Sequence, residues 1–125
     1  MAVNSKQKGN RGEREWASFC REQGYNVRRT QQYAGVTEES ADCIGLPYIH
    51  QEVKRVEKLN IYDAIGQANN DANTRRTLEM DVLLPIVAHR KNGKPWLVTM
   101  DADDWFVLYS EFYSGKVIEG RKQDG

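Results

Sequence analysis

Ala41-Asp42-Cys43-Ile44-Gly45-Leu46-Pro47-Tyr48-Ile49-His50-Gln51-Glu52-Val53-Lys54 is the stretch on which the fold turns. Asp42 to Leu46 suits a short strand, Leu46-Pro47 a turn, and Tyr48 to Val56 a longer strand, and together they predict a hairpin. Side chains alternate faces along a strand, so Glu52 and Lys54 project together while Val53 packs the other way. A Glu and a Lys side by side within a sheet are unfavourable unless they are paired or put to use. Alone they read as an edge-strand ion pair, and Asp42 alone reads as a strand-start or turn residue. Asp42, however, opens the preceding strand ten residues upstream, and antiparallel pairing returns Glu52 to its neighbourhood. Two carboxylates a few ångströms apart offer hard oxygen donors for Mg²⁺, with a scissile phosphate supplying more. Such an ion polarises the phosphate and lowers the pKa of a bound water. Lys54 can hold that water or neutralise the charge that builds on the phosphate.

Upstream, Asn10 is a good N-cap with Glu13 three residues on, as in a capping box, and the helix it predicts runs to Gln23 before Gly24. Its apolar stripe is Trp16, Ala17, Phe19 and Cys20. Glu13 extends that stripe toward the sheet, where a metal or a capping N–H can satisfy it. Lys6 to Gly9 reads as a mobile basic lead-in, Tyr25 to Gln31 as a strand and Gln32 to Ser40 as a loop. Downstream, Asn60 caps a helix from Ile61 to Asn73 with Ile61, Ala64, Ile65, Ala68 and Ala72 on one side. Val82 to His89 and Trp96 to Met100 form a second hairpin around Lys91-Asn92-Gly93-Lys94. Asp103 to Tyr113, capped by Asp101, is a last amphipathic segment, and Gly120 to Gly125 reads as a frayed tail. The order α-β-β-β-α-β-β-α predicts an α/β domain with a mixed central sheet of about five strands flanked by helices.

With 125 residues, a single domain over 1–125 is expected, with 1–9 as a basic flexible arm and 120–125 as a tail. No apolar run is long enough to span a membrane, and the first residues lack a secretory h-region. Cys20 and Cys43 lack CxxC spacing, which fits a reducing cytoplasm better than a disulfide scaffold or a zinc site. The net charge is zero, but its distribution is uneven. Residues 1–35 carry seven Lys/Arg against three Glu, and residues 36–80 carry five basic against eight acidic residues. A basic flank beside an acidic centre suits phosphate binding next to metal binding, although each charge alone reads as a solvated surface group.

Asp42…Glu52-Val53-Lys54 is similar to the PD-(D/E)XK nuclease signature. The surroundings resemble the Holliday-junction-resolvase branch of that superfamily, archaeal and phage forms included. The family opens with a Lys-Gly stretch and a helix bearing an acidic residue, here Lys8-Gly9-Asn10-Arg11-Gly12-Glu13. An Arg-bearing strand follows, here Val27-Arg28-Arg29, then the Asp-containing strand, the Glu-x-Lys strand, and a helix whose Gln supports the site, here Gln67. Ala41 stands where the family has Pro, and residues 31–40 replace the Gly/Ser-rich loop of archaeal resolvases.

The resemblance implies a restriction-endonuclease-like core. It implies a catalytic set of Asp42, Glu52, Lys54, Glu13 and Gln67, with metal held by Asp42, Glu52, Val53 and Glu13. The implied activity is Mg²⁺-dependent hydrolysis of branched DNA or Holliday junctions by a homodimer, with Mn²⁺ able to substitute and no organic cofactor. The expected setting is the cytoplasm of a bacterial or phage-infected cell. Lys6, Lys8, Arg11, Arg14, Arg28 and Arg29 are the candidate phosphate contacts, carrying no sequence code. Arg75 and Arg76 could add to them, and Tyr33 could stack on a base. His50 shares the Glu52 face and reads first as a structural histidine. Asp101, Asp103 and Asp104 read as helix-cap and first-turn residues, and Trp96 and Trp105 as core or dimer face. Two alternatives stay open: a general or repair-type endonuclease of the same superfamily, and a non-catalytic DNA-binding protein with the fold.

Overall fold

The structure is a computed structural model that describes the backbone of residues 5–30, 42–79 and 84–124 and the side chains of 9–30, 42–76 and 84–121. Helix α1 spans Ser5–Glu22, strands β1 Arg28–Arg29, β2 Cys43–Ile44 and β3 Ile49–Arg55 follow, and α2 spans Ile61–Glu79. Strands β4 Leu84–Arg90 and β5 Leu97–Thr99 and helix α3 Ala102–Asp124 complete the order. The five strands form one sheet in sequence order. It is mixed, as expected: β3 and β4 run parallel, and the other neighbours pair antiparallel.

The helices follow their sequence signals with three corrections. Asn10 does not cap α1, which begins at Ser5 and so includes residues 5–9 of the expected arm. Both halves of the supposed capping box are instead taken by a distant partner: Arg29 donates to Asn10 Oδ1 and to Glu13 Oε2. Helix α2 continues past Asn73 to Glu79, a stretch in which no Gly or Pro offers a stop. Helix α3 continues through the expected tail to Asp124, in a polar stretch with a Lys116–Glu119 pair. The α1 stop signal behaves as expected. Gly24 (φ 97°) donates to the Arg21 carbonyl, and Tyr25 donates to the Cys20 carbonyl at 3.1 Å, the paired bonds of a Schellman end. Asn60 caps α2 through Oδ1, which accepts the Asp63 N–H. Of the expected strand from Tyr25 to Gln31, the described residues, to Thr30, are regular at Arg28–Arg29.

Alternation along β3 divides the interior in two. Gln51 and Val53 face α1, where Trp16, Ala17 and Cys20 pack with Val27, Cys43, Ile86 and Ala88. The Trp16 indole N–H donates to Gln51 Oε1 at 2.8 Å, tying helix to strand. The other face carries His50, Glu52 and Lys54 toward α2, whose Ala64 and Ala68 pack on Val87. Alanines at that spacing let α2 approach the sheet closely, so polar side chains one step around the helix reach β3.

The turn between β2 and β3 needs a glycine. Gly45 has φ 118°, and a Cβ there would lie 2.3 Å from the Asn26 carbonyl oxygen. The turn is thus pressed against the segment that leads into β1, and the two N-terminal strands are fixed relative to β3. Helix α3 differs from the other two. Trp105, Phe106, Tyr109, Phe112 and Tyr113 are all between 45% and 62% exposed, and they stack chiefly on one another. Trp105 is therefore not core. Trp96 is half-buried against the core, leaning on Trp16 at 5.2 Å. Among the described residues, no helix is long and apolar enough to cross a membrane.

Candidate functional site

The site is built on the β2–β3 hairpin. Cys43 is opposite Gln51, so Asp42 is in register with Glu52. The Asp42 N–H donates to the Gln51 carbonyl, and the Val53 N–H returns to Asp42 Oδ2 at 2.8 Å. The backbone thus aims the Asp42 carboxylate at the strand carrying Glu52 and Lys54. Burial, chiefly, and then the charge of Glu52 push the Asp42 carboxyl up to about 7. Glu52 is 1% exposed; burial raises its pKa well above the usual carboxylate range, with Asp71 adding to the rise. A pair of acids held back from ionising chiefly by burial is what a divalent cation would relieve.

Lys54 completes the face. Its Nζ donates to Gln67 Oε1 at 3.2 Å, so the helix Gln holds the strand Lys at the edge of the carboxylates. Glu13 of α1 lies near enough to feel the charge of Asp42. It is paired to Arg29 Nε at 2.9 Å; burial raises its pKa, Arg29 works against that rise, and the charge of Asp42 adds to it. Of the sequence candidates, Asp42, Glu52, Lys54 and Gln67 converge directly, and Glu13 adjoins them through Arg29 and Asp42. Val53 takes part through its amide, with its side chain buried on the α1 face.

The basic candidates divide. Arg11, Arg14 and Arg28 are exposed. Arg29 is half-buried and committed to Glu13 and Asn10. The side chains of Lys6 and Lys8, and the whole of Tyr33 and the 31–40 loop, lie outside the described residues. Arg75 faces inward, its Nη1 2.9 Å from His50 Nδ1. Asp101 accepts from Asn69 Nδ2 of α2 and gives its carbonyl to the Trp105 N–H, as expected of a residue just before a helix. Cys20 and Cys43 are free and buried; burial pushes the Cys20 thiol up to about 11 and Cys43 higher still, leaving both inert.

One neighbour of the site escapes the sequence reading. Asp71 lies with His50 and Glu52 in one cluster, their ligand atoms within 4.8 Å of one another, and His50 hydrogen-bonds Glu52 at 3.0 Å. A signal was present: Gln67, Asp71 and Arg75 recur at four-residue spacing, a polar stripe beside the alanine stripe of α2.

Comparison with solved structures finds this architecture in Hjc from Archaeoglobus fulgidus, a Holliday junction resolvase from an archaeal hyperthermophile. The TM-score is 0.53 over 74% of this chain and 76% of that one. The chain has the resolvase fold. Sequence identity to Hjc is 20%, so the likeness lies in the arrangement of elements. No protein-family model matches the sequence, and no curated protein matches it. In this fold the hairpin carrying Asp42 and Glu52 occupies the heart of the sheet, backed by α1 on one face and α2 on the other.

Proposed function

We propose that the chain is a divalent-metal-dependent DNA endonuclease that cuts branched DNA, four-way junctions foremost, acting as a homodimer in the cytoplasm. The observation that carries this reading is the convergence of Asp42, Glu52 and Lys54 on one face of a hairpin, with Gln67 holding Lys54. A binding protein gains nothing from two buried carboxylates beside a phosphate. The donor set fits Mg²⁺: hard oxygens on Asp42 and Glu52, with Val53 between them and Lys54 in the chain and Glu13 beyond Asp42. A bound ion would supply Lewis-acid polarisation of the phosphate and a more acidic water.

The protein's own groups do the rest. Asp42, aimed by the Val53 amide, and Glu52, fixed within the α2 face, would hold that ion. Lys54, oriented by Gln67, stabilises the negative charge that grows on the reacting phosphate. Arg11, Arg14 and Arg28, with Lys6 and Lys8, hold the flanking phosphates without reading sequence, which suits selection by DNA shape. The two-fold symmetry of a junction calls for two such centres related by a dimer axis, and the exposed aromatic face of α3 supports pairing with a second copy. The alternative of an endonuclease without junction preference is favoured by the 31–40 sequence, which lacks the Gly/Ser-rich character of archaeal resolvases.

Incubation with labelled four-way junction, linear duplex and single strand, in Mg²⁺, Mn²⁺ or EDTA, separates the readings. Paired symmetric nicks on the junction are expected in either metal and none in EDTA. Cleavage of every substrate would indicate the general nuclease. No cleavage in either metal would leave a DNA-binding protein.

A further inference from the structure

His50 is fully buried although it is a polar residue on a strand. Its Nε2 lies 3.0 Å from Glu52 Oε1 and its Nδ1 lies 2.9 Å from Arg75 Nη1. The cluster of His50, Glu52 and Asp71 has the look of a metal site of its own. The arginine argues against that. A guanidinium has only donors, so the Nδ1 it touches must accept, and the ring proton sits on Nε2. An Nε2 that carries a proton has no lone pair for a metal and donates to Glu52 instead. A doubly protonated ring would place an N–H against the guanidinium, two donors facing one another in a buried site.

We infer that Arg75 and His50 form a positioning pair for Glu52: Arg75 fixes the tautomer of His50, and His50 fastens one Glu52 oxygen so that the other is presented beside Asp42. The inference rests on the reading of Glu52 as a metal ligand. It assigns roles to two residues outside the Asp42, Glu52, Lys54 set, and makes Arg75 an inward-acting residue rather than a DNA contact. Groups of this kind, which orient a ligand without touching the ion, alter metal affinity by roughly 10–100-fold when removed. Asp71 of α2 lies within reach of both His50 and Glu52.

Two measurements on the full chain test the pair. Long-range ¹⁵N–¹H correlation of the His50 ring in the metal-free protein is expected to give the Nε2–H tautomer pattern. An Nδ1–H or imidazolium pattern would overturn the inference. Mn²⁺ binding, read by calorimetry without DNA, is expected to weaken roughly 10–100-fold in His50→Leu and to stay within about threefold in His50→Gln, whose amide can donate in the same place. Equal affinity in wild type and a folded His50→Leu would refute the positioning role, as would a His50→Gln as weak as His50→Leu. Should His50→Leu fail to fold, Arg75→Met serves: it is expected to weaken Mn²⁺ binding and to release the tautomer preference, and no change in either refutes the pair. Absence of Mn²⁺ binding by the wild type would sink the metal-site reading itself. Binding by a wild type with an Nδ1–H His50 would sink the pair alone.

Discussion

Replacing Asp42 with Asn should make the metal-free protein more stable while removing one of its proposed metal ligands. The Asp42 carboxyl is pushed from its ordinary 3.8 up to about 7 by burial and by Glu52. At ~1.4 kcal/mol per pH unit, ionising it in the folded chain is unfavourable by ~4 kcal/mol. Part of that is shared with Glu52, so ~2–4 kcal/mol is the expected gain at about pH 8. The amide keeps the geometry, since its oxygen can still accept the Val53 N–H that now binds Oδ2. The sign follows from proton counting. Between the ordinary value and about 7, the folded chain binds more protons at Asp42 than the unfolded chain does, so wild-type stability is full below about pH 4 and falls as the pH rises toward about 7.

Thermal melts in EDTA at about pH 5, 6, 7 and 8 should therefore show Asp42→Asn drawing ahead of wild type. The widening from about pH 5 to 8 should be ~3 kcal/mol, or roughly 10 °C for a chain of this size. Saturating Mg²⁺ should reverse the order, because a ligand that binds only the folded wild type stabilises it by mass action. A variant less stable than wild type at about pH 8 without metal would refute the reasoning, for it would mean the ionised Asp42 is a structural asset.

Two further outcomes are expected. Lys54→Ala should lower cleavage by roughly 10²–10³-fold while fluorescence-anisotropy titration finds junction binding within a few-fold of wild type; equal loss of both would make Lys54 a mere phosphate contact. Gly45→Ala should destabilise by ~2 kcal/mol or more in a urea melt, given a left-handed backbone and a Cβ forced against the Asn26 carbonyl, and an unchanged midpoint would show that the turn yields.

The hairpin was legible because its signals are local: alternation around Glu52 and Lys54 and a Leu46-Pro47 turn fix which face each side chain takes. The second hairpin was legible for the same reason, and Lys94 closes onto Lys91 as Asn92-Gly93 predicts. What misled was local chemistry overridden by distant partners. Asn10 and Glu13 have the spacing of a capping box, but Arg29, from a strand that pairs with β2, takes both side chains. His50 was placed on the Glu52 face by alternation, but its contacts with Glu52 and Arg75 depend on how α2 lies across β3 and could not be read from the strand alone. Asp71 was missed because a polar stripe on a helix signals nothing until the adjacent alanines are known to face a sheet. The α3 aromatics have helical spacing that suits burial, yet nothing within the described chain covers them.

The parallel pairing of β3 with β4 times the birth of the centre. Glu52 and Lys54 are synthesised early, but the strand that flanks them on the far side begins at Leu84, after the whole of α2. Until that segment leaves the ribosome, β3 has an open edge and the helix bearing Gln67, Asp71 and Arg75 has no Val87 on which to seat its alanines. A nascent chain therefore carries every reactive side chain of the hairpin well before it carries a working arrangement of them.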